Sequence, residues 1–247
     1  MPFNIGGHIY NGTQADLQDY QNIITRGLVL HLDASALESY PGTGTSWSDL
    51  SGNNNGTLTN GPTFSSGNQG YINFDGTNDY VNIPYNAVLD TPSGATYEIW
   101  FKPTVSTSGE FLSRGTSDGG ATPDNPRFYI YNTGKIYFDW SRPSVDTYTE
   151  TNTGAVTMGA WNQIVGIATP SAALRMFANG YETSYSLQVQ TLPATIPNTS
   201  DPIQIGGVTW IPRYFTGNIA SVKLYNRVLA SAEILQNYNI QKGRFGL

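Results

Sequence analysis

The sequence predicts an all-β fold, and three observations carry that expectation. Short segments in which apolar and polar residues alternate recur along most of the 247 residues, the period of a strand with one buried face. Between them lie clusters of Gly, Asn, Asp, Ser and Thr, including Asp75-Gly76 and Asn179-Gly180, which favour tight turns. A single stretch near the C-terminus carries the spacing and end signals of a helix.

Composition sets the bounds on class and partners. With 247 residues, 38% of them hydrophobic, the chain can bury a sizeable core, and one main domain is expected over residues 27–247. The formal charge of −6 argues against a nucleic-acid partner, which calls for a basic stripe. There is no cysteine, so disulfides, thiolate metal sites and cysteine nucleophiles are excluded. The opening residues lack the basic start and apolar run of a secretory leader. No apolar run reaches the ~18 residues of a membrane span, so a soluble protein is expected.

Taken in order, residues 1–26 are polar and mixed and read as an N-terminal arm, with Thr13-Gln14-Ala15-Asp16 fitting a capping box for a short helix. The arm is either an ordinary leading segment folded on the domain or an attachment segment for a neighbouring subunit. Leu28–Asp33 alternates as a strand. His31 and His8 are the only histidines, and nothing at ligand spacing accompanies His31, so a structural role is expected. Residues 40–70 are rich in loops. Within them Asp49, Asn53 and Asn55 cluster on a tight turn, where their oxygens either hold Ca2+ or build Asx turns without a metal. Ile72–Asp75 and Tyr80–Ile83 flank a polar turn and read as a β-hairpin.

Thr96–Lys102 places Tyr97, Ile99 and Phe101 on one face and Glu98, Trp100 and Lys102 on the other. Arg127–Tyr131 and Lys135–Asp139 form a hairpin through Asn132-Thr133-Gly134, with an apolar face of Phe128, Ile130, Ile136 and Phe138. Further strands are expected at 161–167, at 174–178 and 181–185 joined by Asn179-Gly180, at 202–207 and at 215–225. The helix follows, with Ser231 as its cap, Glu233 in its first turn and an apolar stripe of Ile234, Leu235 and Tyr238.

If these strands share a sheet, Trp100, Tyr129, Tyr131 and Tyr137 set aromatic planes beside Arg127 and Asp139. That mixture suits sugars, which offer apolar C–H faces and hydroxyl edges. Trp47, Trp210 and Tyr214 in loops form a second candidate set. The alternative is a protein interface, where tyrosine and tryptophan are also enriched.

Several motifs occur together in order over roughly residues 27 to 240. They are Asp49-Leu50-Ser51-Gly52-Asn53, Ile72-Asn73-Phe74-Asp75-Gly76 with Asp79-Tyr80-Val81, Ile99-Trp100-Phe101-Lys102-Pro103, Trp161-Asn162-Gln163-Ile164-Val165, Phe177-Ala178-Asn179-Gly180, Ile205-Gly206-Gly207, and Gly217-Asn218-Ile219 through Tyr225-Asn226-Arg227-Val228-Leu229. Together they resemble the laminin-G-like members of the concanavalin A-like lectin/glucanase superfamily. The resemblance implies a two-sheet antiparallel β-sandwich, a concanavalin A-like jelly roll, with a short C-terminal helix. Relatives often hold Ca2+ with an acid just after the Gly-x-Ile that opens the last long strand, but here those positions are Ala220 and Ser221. Any calcium would therefore rest on Asp49 with carbonyls and amides.

Leu28–Ala34 and the tail Asn237–Phe245 also resemble versions of the domain found in structural proteins of tailed bacteriophages, particularly marine and cyanobacterial ones. The expectation is a non-enzymatic virion protein, a capsid decoration or tail-fibre component, assembled in the host cytoplasm. It would contact other virion proteins through the arm, form a homo-oligomer such as a trimer, and bind host-surface glycans. The alternative is a lectin module of a bacterial surface protein. A glycoside hydrolase is disfavoured, because family enzymes present two acids at alternate positions of one strand and no Glu-x-Asp or Glu-x-Glu falls on an expected strand.

Overall fold

The computed structural model describes residues 2–5, 8–11, 23–115, 126–142, 145–209 and 213–247. The helix expected at Thr13 and the candidate Trp210 lie outside the described residues. Pro2–Ile5 (β1) and His8–Asn11 (β2) pair as a two-stranded antiparallel sheet of their own.

The strands that follow are Leu28–Asp33 (β3), Ser46–Trp47 (β4), Gly56–Thr59 (β5), Thr63–Ser65 (β6), Tyr71–Asp75 (β7), Tyr80–Ile83 (β8), Ala95–Pro103 (β9) and Gly109–Arg114 (β10). Arg127–Ile130 (β11), Ile136–Arg142 (β12), Val145–Thr151 (β13), Asn162–Ala168 (β14), Arg175–Ala178 (β15), Tyr181–Glu182 (β16), Tyr185–Val189 (β17), Ile203–Ile205 (β18) and Thr216–Tyr225 (β19) complete the set. One sheet runs β17-β13-β12-β11-β10-β18-β8-β5-β4. The other runs β16-β15-β14-β9-β19-β7-β6, with β3 on the second half of β19. The result is the expected two-sheet antiparallel sandwich.

Alternation explains how the sheets face each other. Tyr97, Ile99 and Phe101 of β9 point inward, as do Phe128 of β11 and Phe138 and Trp140 of β12, and all are buried. Their rings interdigitate, with Phe101 stacked on Phe111 at 4.8 Å and Phe128 on Phe138 at 4.3 Å between centroids. Gly166 is required there, since a Cβ would sit 2.3 Å from Phe128.

The hairpin expected at 72–83 is a corner instead. β7 pairs with β6 and β19 in one sheet, while β8 pairs with β5 and β18 in the other. Both strands turn their apolar residues into the same core, so their alternation is identical whether the chain folds back beside itself or crosses between sheets. The corner is built by Asp75, which accepts from the Thr77 N–H at 2.7 Å, and by Gly76 at φ +80°, where a Cβ would collide with Thr216. The strand expected at 181–185 is likewise divided: the Asn179-Gly180 hairpin forms, but β16 ends at Glu182 and Tyr185 begins β17 in the opposite sheet.

The outer face of the β9 sheet is covered. Ser231–Gln241 forms the helix α1, followed by a 3-10 turn over Lys242–Phe245. Ala230, not Ser231, occupies the N-cap position, and Glu233 reaches back to accept from the Ala230 N–H at 2.9 Å. Arg227 holds the same carboxylate at 2.6 Å, and this bond is the main reason that Glu233 sits down at about 2.

Candidate functional site

The site grows out of the β11–β12 hairpin. Gly134 at φ +72° closes the turn, with Tyr131 accepting from the Gly134 N–H at 2.9 Å, and this fixes the register. Arg127 stands opposite Asp139, Phe128 opposite Phe138 and Tyr129 opposite Tyr137. With the phenylalanines turned inward, the alternate residues form the outer face. Neighbouring strands extend it, because Glu110 of β10 pairs with Tyr129, and Glu150 and Tyr148 of β13 pair with Tyr137 and Asp139. Glu110, Tyr129, Tyr137 and Glu150 thus make one row across four strands, roughly 14 Å at the usual strand spacing.

These side chains are held in place. Arg127 forks onto Asp139 through Nε at 3.1 Å and Nη2 at 2.7 Å, and lies 3.9 Å from Glu110. Its guanidinium lies 5.9 Å from the Tyr137 ring centre, while Tyr129 and Tyr131 meet edge to face at 4.9 Å. Lys135 pairs with Glu150 at 2.8 Å beside Tyr131. Arg213, from the segment before β19, stands over Tyr129 at 5.8 Å and donates to Glu110 Oε1 at 3.3 Å. Glu110, Arg127, Tyr129, Tyr131, Tyr137 and Arg213 line a groove of about 340 Å³.

The electrostatics follow from burial. Glu110 is 1% exposed, and desolvation pushes its carboxyl up to about 7 even though Arg127 and Arg213 pull the other way. Burial works against the charge of Arg127, but Asp139 overrides it and holds the guanidinium above its ordinary value. Tyr137 is raised by burial and then by Asp139, so its hydroxyl stays a donor at neutral pH.

The structure brings Arg127, Tyr129, Tyr131, Tyr137 and Asp139 together, and it removes Trp100. That residue lies in the other sheet, fully buried, stacked on Phe245 at 4.3 Å and on Tyr238 at 5.8 Å. The tail covers the face of β9 on which alternation placed it. Of the loop set, Trp47 is buried in the core, and the Tyr214 ring packs where a Cβ of Gly207 would otherwise sit.

The turn at Asp49 does not fit a calcium site. Its Oδ1 accepts from the His31 N–H, the Ser51 N–H and the Ser51 hydroxyl, and its Oδ2 accepts from the Asn54 N–H and side-chain amide. Asn55 Oδ1 accepts from the Asp49 N–H, and Asn53 is exposed. Oxygens already turned toward protein donors serve an Asx turn rather than a hard cation. Ala220 and Ser221 are buried in β19. Among the described residues, no three His, Asp or Glu side chains converge to hold a metal ion.

A laminin-G model, described as concanavalin A-like lectin/glucanases superfamily, matches residues 75–235. No curated protein matches by sequence. Among solved structures, Trypanosoma rangeli sialidase superposes with TM-score 0.64 at 16% identity, covering 90% of this chain and 34% of that one. The binding domain of Paraclostridial Mosquitocidal Protein 1 gives 0.66 at 15%, covering 86% and 52%. Domain 4 of AbnA, a Geobacillus stearothermophilus arabinanase solved with arabinotriose, gives 0.60 at 14%, covering 85% and 98%. The chain spans about a third of the sialidase and half of the mosquitocidal binding domain. At these identities the likenesses show the fold alone, but the family match extends over more than half of the chain. The chain belongs to the concanavalin A-like lectin/glucanases superfamily and has its lectin-like, carbohydrate-binding fold.

Proposed function

We propose that this chain is a non-catalytic glycan-binding module whose site is the groove on the outer face of β10–β13. The observation that carries this is the ordered row of tyrosine rings flanked by fixed charged groups, a surface that can stack on a sugar ring while hydrogen-bonding its hydroxyls. A domain of the same fold solved with arabinotriose supports the reading. The groups present argue for binding over hydrolysis. A glycosidase needs one carboxyl to protonate the leaving group and another to attack or activate water. Here both oxygens of Asp139 are engaged by Arg127, which also faces Glu110. Tyr129→Ala and Tyr137→Ala should each lower affinity on a multivalent glycan array about tenfold, which is 1.4 kcal/mol, while the unfolding temperature changes little. Undiminished binding by both variants would move the site elsewhere.

We place the module on a phage particle, as a capsid decoration or tail-fibre component assembled in the host cytoplasm. The phage-like stretches at 28–34 and 237–245 support this, and so does the separate sheet of β1 and β2. A lone two-stranded hairpin is marginal in water, and docking on another virion protein or on further copies of the chain would stabilise it. Deleting residues 1–26 should abolish incorporation into particles while leaving the sandwich folded. Normal incorporation of the truncated protein would sink the idea.

A further inference from the structure

Resting on that glycan reading, we infer that the groove selects sugars bearing a carboxylate and that Arg213 takes the ligand's charge. The groove's other cations are committed: Arg127 forks onto Asp139, and Lys135 pairs with Glu150. Arg213 differs. Its side chain is 46% exposed, and among the described residues its hydrogen-bond partner is Glu110 alone, at 3.3 Å. Glu110 is a poor counter-ion, because it is nearly fully buried and its Oε2, out of solvent, has no hydrogen-bond partner among the described residues. A carboxyl in that position favours its neutral form, and when Glu110 is neutral the described residues at the mouth of the groove carry one uncompensated cation.

A planar guanidinium presents paired donors that match a carboxylate edge. Arg213 is also steadied over the Tyr129 ring. A ligand carboxylate bound there puts its own sugar ring on the Tyr129, Tyr131 and Tyr137 surface. Neutral hexoses would meet the same rings but leave Arg213 unused.

Binding at this groove depends on pH. The groups facing Glu110 are Arg127 and Tyr129 on β11, Asp139 and Tyr137 on β12, and Arg213 with Tyr214 before β19. The carboxyl titrates near 7, and a bound anion beside it favours its proton further. Binding the acidic ligand therefore takes up a proton above about pH 7. Affinity should fall by up to about tenfold per pH unit there and level off below.

The test uses full-length protein on a multivalent array of hexuronic-acid oligosaccharides, each printed beside its carboxyl-reduced, uncharged counterpart. At pH 6 an acidic member should bind at least tenfold more tightly than its reduced partner, and the preference should decline from pH 7 to pH 9. Arg213→Ala should erase the preference but leave tyrosine-dependent binding. Glu110→Gln should keep the preference and flatten the pH profile. Equal binding of acidic and reduced forms, or a preference that survives Arg213→Ala, overturns the inference; the glycan reading then stands if Tyr129→Ala still weakens binding about tenfold. Absence of binding to every glycan on the array overturns both.

Discussion

Replacing Arg244 by leucine is expected to cost the domain about 3–5 kcal/mol, the range for removing one partner of a buried ion pair. Arg244 Nη1 reaches Asp33 Oδ1 at 2.8 Å and Oδ2 at 3.1 Å, Nε donates to the Asn68 carbonyl at 2.8 Å, and Nη2 donates to the Gly70 carbonyl at 2.5 Å. Asn68 returns a bond to the Arg244 carbonyl at 3.1 Å. One side chain thus joins the tail, the loop before β7 and the end of β3. Leucine would fill much of the volume but strand the Asp33 carboxylate, which is fully buried. Urea denaturation measures the loss, and Arg244→Leu combined with Asp33→Asn should recover part of it, because the stranded charge is then gone.

Acid provides a second reading of the same pair. Burial tends to raise Asp33, but Arg244, His31, the Ser35 N–H and Lys223 together hold it below its ordinary value. The unfolded chain therefore takes up the proton first. The stabilisation is full above pH of about 4–5 and is lost as pH falls toward the folded value. In Arg244→Leu the strongest of those opposing groups is gone and burial raises the carboxyl. The gap between the two proteins should narrow on acidification from pH 6 to pH 3. A gap independent of pH would assign the loss to packing alone.

How much of this was legible in the sequence depends on what alternation encodes. It reports which residues face a core but not which sheet bears them. The β11–β12 face was therefore readable, since Asn132-Thr133-Gly134 also fixed the pairing. The same signal misread Ile72–Ile83 as a hairpin, because both strands contribute to one core from opposite sheets. It also exposed Trp100 wrongly, because local pattern carries no sign of a tail more than 130 residues later that stacks Phe245 on it. Glu110 was hidden for another reason. A bulge between Glu110 and Leu112 breaks the alternation of β10, so the strand that supplies the groove's raised carboxyl has no clean period. Arg213 comes from irregular backbone, where no period exists to read.

The second large effect is expected at Lys223, where methionine should again cost about 3–5 kcal/mol. Lys223 and Glu98 stand opposite each other on β19 and β9, both side chains at 0% exposure, with Nζ 3.1 Å from Oε1. The pair is wired to the helix, since Gln241 accepts from the ammonium at 2.8 Å and Asn237 donates to Glu98 Oε2 at 2.7 Å. Asn237 also accepts from the Ile24 N–H, joining the segment that leads into β3. Removing the cation leaves a carboxylate under α1 with no water to solvate it. In Lys223→Met with Glu98→Gln the charge is gone and the amide oxygen can still accept from Asn237, so most of the stability should return. If the double variant were no better than the single, the loss would lie in the packing of the lysine stem. Recovery would show that the pair's cost falls on whichever charge is left alone.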